Sequence, residues 1–480
     1  MVFSSVTFLV FFGIVSLIMA VTNIKAVKNF FTQEALRKFR HIVLLIASYI
    51  FYGWWDWRFC FLMFALTYIS YISAKGISEK GKYAKLFKFI GVVVPLIVLG
   101  IFKYFNFFLD SFYALFGIDG HSTLNIILPA GISFYTFQSM SYTIDVASEK
   151  IKTSRFLEVA LYVAFFPQLV AGPIVKAQEF IPQLKENRNI SLSNLEKGVQ
   201  IFLVGLFKKI VIADNISVFV DQVFQKPVVF HSITVILAVV AYSIQIYFDF
   251  SGYSDMAIGS AKCLGYDFNR NFNLPYISKN VSEFWKRWHI SLSTWLQEYL
   301  YIPLGGNRKG KARTYFNLLA TMVIGGLWHG ASWNFVIWGT LHGIALCVHK
   351  LFCAIKKTRK KNLIKTFASV LVTYVFVCVC WVPFRSTDTA ITFEVLKRMF
   401  VWHTGIIHIS SWVVLAIFVL AVGTLAAFFR SKKSNFKSVS GFYPELNLSS
   451  FSSLVILFLA VGIIVGLAYT KSNPFIYFQF

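Results

Sequence analysis

Two histidines stand where they could move a proton inside an apolar surround. His329 lies in GGLWHGASWNFVIWG, where Gly325, Gly326 and Gly330 permit close backbone approach and Trp328 and Trp333 supply large apolar walls. An ionisable group within a membrane span is expensive, so a working role is the first reading; a neutral imidazole bonded to a neighbouring carbonyl is the bland one. His289 belongs to FWKRWHISLSTWLQEYLYIPLGG, where it could equally be one more member of an interfacial aromatic belt. Histidine alone has an unperturbed pKa near neutrality, so either ring could serve as a general base toward a hydroxyl. Asp249 and Asp255, in YFDFSGYSDMA, fall at the predicted end of a span, where carboxylates line a polar path or are solvated at a helix terminus. Gln168 and Lys176 flank a Pro/Gly break and could line such a path, although the break itself needs only a structural explanation. His342, thirteen residues after His329, reads as a packed neutral histidine. Cys60, Cys263, Cys347, Cys353, Cys378 and Cys380 form no CxxC pair, so neither a disulfide framework nor a metal site is expected. Cys378 and Cys380 should point to different faces of one helix and pack in its core.

The elements that must hold these groups are membrane helices. In 480 residues, 57% are hydrophobic and 14% charged, and the mean hydropathy is +0.65, more apolar surface than a soluble chain can hide. Lys and Arg number 46 against 21 Asp and Glu, a net +25, but they come in short clusters between apolar runs. That is the pattern of cytoplasmic loops and anionic headgroups, not of one basic face for nucleic acid. Spans are predicted to begin near Val2, His41, Phe59, Phe89, Leu124, Ile201, Ser232, Tyr315, Trp333, Phe367, Trp412 and Ser452, about twelve in all. The run from Val2 to Val21 has no basic leader region and reads as a retained span. Basic clusters such as Lys25 to Arg40, Lys75 to Lys88, Lys262 to Arg313 and Lys350 to Lys365 follow alternate spans. They are expected on the cytoplasmic side, which puts both termini outside. Two stretches fit less simply. Val159 to Val175 is apolar but broken by Pro167, Gly172 and Pro173, as a re-entrant segment would be. Asn269 to Gly310 reads as an amphipathic helix at the interface, carrying Trp285, Trp288 and Trp295 with Lys286 and Arg287 at the headgroups. The expectation is one membrane-embedded domain over residues 1–480.

The blocks YFDFSGYSDMAIG, FNLPY, FWKRWHISLSTWLQEYLYIPLGG and GLWHGASWNFVIWGTLHG follow one another between Tyr247 and Gly343. Together they strongly resemble the membrane-bound O-acyltransferase (MBOAT) family, in the bacterial branch of alginate O-acetylation and teichoic-acid D-alanyl transfer. ASYIFYGWWDWRF and FFPQLVAGPIVK match the same branch, so the resemblance covers nearly the whole chain. It implies an all-α polytopic fold around a through-membrane tunnel. It further implies a cytoplasmic thioester donor such as acetyl-CoA, a hydroxyl acceptor, a bacterial inner-membrane location and no bound cofactor or metal. The family's invariant histidine corresponds to His329, taken as the base, and a second active-site histidine to His289, placed to orient or polarise the donor. The ending NPFIYFQF, within the tail 471–480, resembles an FxYFxF motif in which Tyr477 would carry the acyl group as an ester. Without the resemblance, an aromatic interface anchor is the better account of that ending. An extracytoplasmic transferase of the SGNH hydrolase type is the implied partner, acting on a cell-envelope glycan.

Two other classes compete. About twelve spans with polar residues at depth suit a transporter or flippase, but no paired halves with matching broken helices are visible. A scaffold that recruits an envelope partner without chemistry is the third reading.

Overall fold

The computed structural model describes residues 1–118, 123–170, 172–188, 190–355, 362–433 and 446–469. Within these the chain forms helices and loops, with one isolated parallel bridge between Phe230 and Ile406. Among the described residues five helices are long and apolar enough to cross a bilayer: Arg58–Ser78, Ala84–Phe116, Ser232–Cys263, Trp333–Cys353 and Leu363–Arg385. Three shorter apolar helices, Val6–Val21, Ser411–Ala426 and Phe451–Leu467, coincide with further predicted spans. The protein is an all-α polytopic membrane protein.

The other four predicted spans are helical but carry polar side chains that face protein. Gln33–Asp56 buries Arg40, whose guanidinium donates to Thr22 Oγ1 at 2.7 Å and to the Arg188 carbonyl at 2.7 Å. The span expected from Leu124 starts later, at Ile132, because Pro129 and the left-handed Gly131 (φ 70°) delay the first turn. That helix, Ile132–Ala147, buries Thr136, Gln138, Ser139, Ser141, Thr143 and Asp145. The run from Leu192 to Gln225 is helical with a π-helical insert at Phe207–Ala213, and Lys311–His329 completes the set.

By its contacts the chain divides into two compact units, residues 1–202 with 256–269, and residues 203–255 with 270–480. In the first unit the helix is interrupted where Pro167 and Gly172 break the apolar run. The helix Phe156–Ala164 stops at Phe165 and a single turn, Phe166–Leu169, follows before extended chain. Val159 to Leu169 is fully packed, with Phe165 against Phe180, Tyr266 and Phe268. Gln168 Nε2 returns to the Tyr162 carbonyl, so the interrupted backbone is covered by protein.

The second unit is organised by a tight hairpin of Lys311–His329 and Trp333–Ile355. Gly326 lies where any Cβ would meet the Phe335 carbonyl, and Gly339 where one would meet that of Met322. Only glycine admits that approach, and the approach fixes where the first helix ends, at His329. The stretch expected as one interfacial amphipathic helix is instead two short helices, Val281–Trp285 and Ile290–Leu296. Between them His289 takes a left-handed conformation (φ 42°, ψ 56°). Trp285, Trp288 and Trp295 are buried in the unit, so their helical spacing serves packing and not the headgroups. Arg287 pairs with Glu283 at 2.8 Å one turn away. Cys378 and Cys380 are both buried in Leu363–Arg385, as expected.

Candidate active site

The second unit brings both predicted histidines into one aromatic cluster. His329, the last residue of its helix and 4% exposed, packs its ring against Trp338 (centroids 4.9 Å apart) and Phe384 (5.1 Å). Trp328 lies 5.0 Å from the His329 ring and 6.0 Å from that of His289. One indole therefore touches both. His289 is fully buried and meets Phe250 edge-on at 4.6 Å. Trp288, Phe284, Trp381 and Phe272 extend the cluster away from it.

The geometry around His289 is built by hydrogen bonds to Asn271. The amide N–H groups of Ile290 and Ser291 donate to the main-chain oxygen (2.9 Å) and to Oδ1 (3.1 Å) of Asn271. The helix Ile290–Leu296 is thus capped from a distant loop, which satisfies two of its orphan donors and holds His289 in its uncommon conformation. His289 Nδ1 lies 3.2 Å from the same Oδ1. Burial without a compensating charge lowers the pKa of His289 to about 3, so the ring is neutral at any physiological pH. A neutral imidazole in a site from which water is excluded can accept one hydrogen bond and donate one; it is not a permanent cation.

His342 also sits in this cluster, fully buried, with Trp285 Nε1 donating to its Nδ1 at 3.3 Å and Trp338 at 4.9 Å. It fits the packed neutral histidine expected from the sequence.

Asp249 and Asp255 are placed differently from the expectation. They lie in the interior of Ser232–Cys263, not at its end, and each meets a lysine from the π-helical insert. Lys208 Nζ is 2.6 Å from Asp255 Oδ2; Lys209 Nζ is 2.6 Å from Asp249 Oδ1 and 2.8 Å from Asp214 Oδ1. Lys209 is 1% exposed, so a full ion triad is enclosed. Sequence reasoning missed Lys208, Lys209, Asp214 and Asn271. The signal for the first three was available: FKKIVIAD places three ionisable groups inside a predicted span, which calls for partners. In the first unit, Gln168 and Lys176 are both buried. Tyr477 and the tail 471–480 lie outside the described residues.

Spanning helices that keep their polar groups inward, with two histidines sharing an aromatic cluster, define a multi-span membrane protein with a buried proton-transfer candidate. The MBOAT, membrane-bound O-acyltransferase, family model matches residues 132–383. The chain is 38% identical to a probable alginate O-acetylase of Pseudomonas putida over 92% of its own length and 95% of that protein. It is 39% identical to a peptidoglycan O-acetyltransferase of Helicobacter pylori, covering 77% of this chain and 76% of the relative. More distantly, it is 28% identical to a teichoic acid D-alanyltransferase of Bacillus subtilis over 54% of this chain and 69% of the relative. The chain belongs to the membrane-bound O-acyltransferase family and is an acyltransferase of membranes.

Proposed function

We propose that the protein moves an acetyl group from acetyl-CoA on the cytoplasmic face to a hydroxyl destined for an extracytoplasmic polysaccharide, in a bacterial inner membrane. The observation that carries this reading is the pairing of buried His289 and His329 about Trp328, in a chain whose relatives are named for O-acetylation of alginate and of peptidoglycan. In the reaction the hydroxyl oxygen attacks the thioester carbonyl carbon. The C–O bond forms as the C–S bond breaks, and His329 takes the hydroxyl proton and returns it to the departing thiolate. His289 orients the donor.

Tyr477 is the first acceptor in this reading. A phenol near the outer face would receive the acetyl group as a phenyl ester, whose good leaving group lets an extracytoplasmic transferase of the SGNH hydrolase type pass it to a sugar. The orientation that this requires, both termini outside and the Asn269 to Gly310 loop inside, follows the positive-inside rule. A cysteine at Asn307 would then resist an impermeant maleimide in sealed cells; ready labelling would invert the assignment.

The deciding experiment is incubation of the purified protein with radiolabelled acetyl-CoA. Base-labile label that depends on Tyr477, tested as Tyr477→Phe, is the expected outcome. A carrier or a scaffold incorporates none.

A further inference from the structure

His289 is held by Asn271, in the loop that precedes its helix pair, and the hold decides which of its nitrogens carries the proton. A backbone N–H can only donate, so the Asn271 side-chain atom that faces the Ser291 amide at 3.1 Å is the oxygen, and the orientation of the side-chain amide is fixed. His289 Nδ1 faces that same oxygen at 3.2 Å. A bare nitrogen there would set lone pair against lone pair, so Nδ1 carries the proton. The Ser291 hydroxyl does not alter this, being 2.9 Å from Asn271 Oδ1 and 3.5 Å from Nδ1. Asn271 Nδ2 donates onward to Ser254 Oγ at 3.3 Å, which ties the amide to the long helix Ser232–Cys263. Asn271 and Ser254 are each 1% exposed. With the proton on Nδ1, the lone pair of the neutral ring is on Nε2, which is buried and has no hydrogen-bond partner among the described residues. A buried acceptor without a protein partner is met by water or by a donor on a ligand.

We propose that Asn271 is a positioning residue that locks His289 as the Nδ1–H tautomer, so that Nε2 accepts a hydrogen bond from the amide N–H of the donor's pantetheine arm. The inference rests on the reading of the donor as a coenzyme A thioester. The thioester carbonyl offers only lone pairs and cannot serve a bare Nε2. The nearest N–H in such a donor is the amide two methylenes from the sulfur. His289 thereby grips the donor beside the reacting carbon without polarising it, and the proton transfer is left to His329. The groups recorded against the His289 ring are Phe250 from Ser232–Cys263, Trp328 from Lys311–His329, Asn271 from its loop and Ser291 from the following helix. None of them is charged or titratable. The depressed pKa of His289 agrees, since it keeps Nε2 bare across the working range.

The test uses the full chain in lipid nanodiscs. With nitrogen-15 histidine, the spectrum of the wild-type protein, assigned by difference with His289→Gln, is expected to show His289 protonated at Nδ1 and bare at Nε2. Protonation at Nε2 overturns the proposal with no activity measured. Asn271→Asp keeps the capping oxygen but places a carboxylate on Nδ1, which favours the imidazolium and turns Nε2 into a donor. The KM for acetyl-CoA is expected to rise about tenfold at pH 7, by more than kcat falls, and to recover as pH is raised and the imidazolium loses its proton. A KM that matches wild type at every pH, or a defect that ignores pH, overturns it. Should the chain transfer no acetyl group from coenzyme A, the proposed function fails, and the spectra of wild type and Asn271→Asp still decide whether Asn271 sets the tautomer.

Discussion

Two regions of the second unit bury polar groups at comparable depth and treat them in opposite ways. Around Lys209 each ionisable group meets one of opposite sign: one ammonium is shared by Asp214 and Asp249 at 2.8 and 2.6 Å, and Lys208 meets Asp255 beside it. Around His289 and His329 the neighbours are indole and phenyl rings with the uncharged Asn271 and Ser291, and His289 Nε2 has no partner among the described residues. A closed ion network has spent its hydrogen-bonding capacity on itself and has little left for a substrate. A neutral ring with a bare nitrogen, walled off from water, keeps its capacity for something that arrives. Ionisable residues inside a membrane are therefore not equal evidence of chemistry. The first region fixes helices against one another, and the second is where the proposed reaction would receive its group.

The comparison breaks most sharply at His329. His329→Ala should lower acetyl transfer by roughly 10² to 10⁴ while the protein still inserts and purifies as wild type, the loss typical of a missing general base. Near wild-type turnover in the purified assay would remove His329 as the base and with it the distinction between the regions. The opposite signature is expected at Lys209. Lys209→Met leaves Asp214 and Asp249 facing each other without a cation, a change that costs about 3–5 kcal/mol for a broken buried pair. Yield and thermal midpoint should fall together, and the fraction that stays folded should turn over at close to the normal kcat. A stable Lys209→Met protein with a specific loss of kcat would place the ion network in the chemistry instead.

The two regions also differed in how much the sequence revealed. The aromatic and glycine pattern around His329 announces close packing, and the hairpin that Gly326 and Gly339 permit is what that pattern demands. Eight of the predicted spans are apolar helices here, because lipid-facing residues must be hydrophobic and composition records that directly. Where a span faces protein on most sides, as at Ile132–Ala147, its polar residues are bound inside and composition no longer marks it as a span. Asp249 and Asp255 are interior because Ser232–Cys263 runs 32 residues, beyond the span of about twenty that starts at Ser232, and their lysine partners lie 40 and 47 residues earlier, in the π-helical insert. The Trp285, Trp288 and Trp295 spacing predicts one helix, and the break at His289 has no local signal in the sequence. It depends on capping by Asn271, 18 residues away, through a tertiary contact that no local periodicity encodes.

The smallest effect separates the two regions by pH. Burial lowers His289 to about 3 from an ordinary 6.5, so in the folded protein the ring stays neutral where the unfolded chain takes up a proton. The sign follows from linkage: above pH 6.5 neither state binds the proton and stability is indifferent to pH. Below it the unfolded state binds more protons, and stability falls as pH drops, at a limit of about 1.4 kcal/mol per pH unit for one group. The other titratable groups of the protein contribute to the pH dependence as well, so the wild-type curve alone cannot assign the loss. His289→Gln removes only the imidazole and leaves every carboxylate in place. The difference in thermal midpoint between wild type and His289→Gln should accordingly be constant from pH 8 to about 6.5 and shift against the wild type as pH is lowered toward 4.5. A difference that stays constant down to pH 4.5 would mean that His289 takes up its proton inside the fold. The charge-free character of its surroundings, on which the contrast with the Lys209 network depends, would then be mistaken.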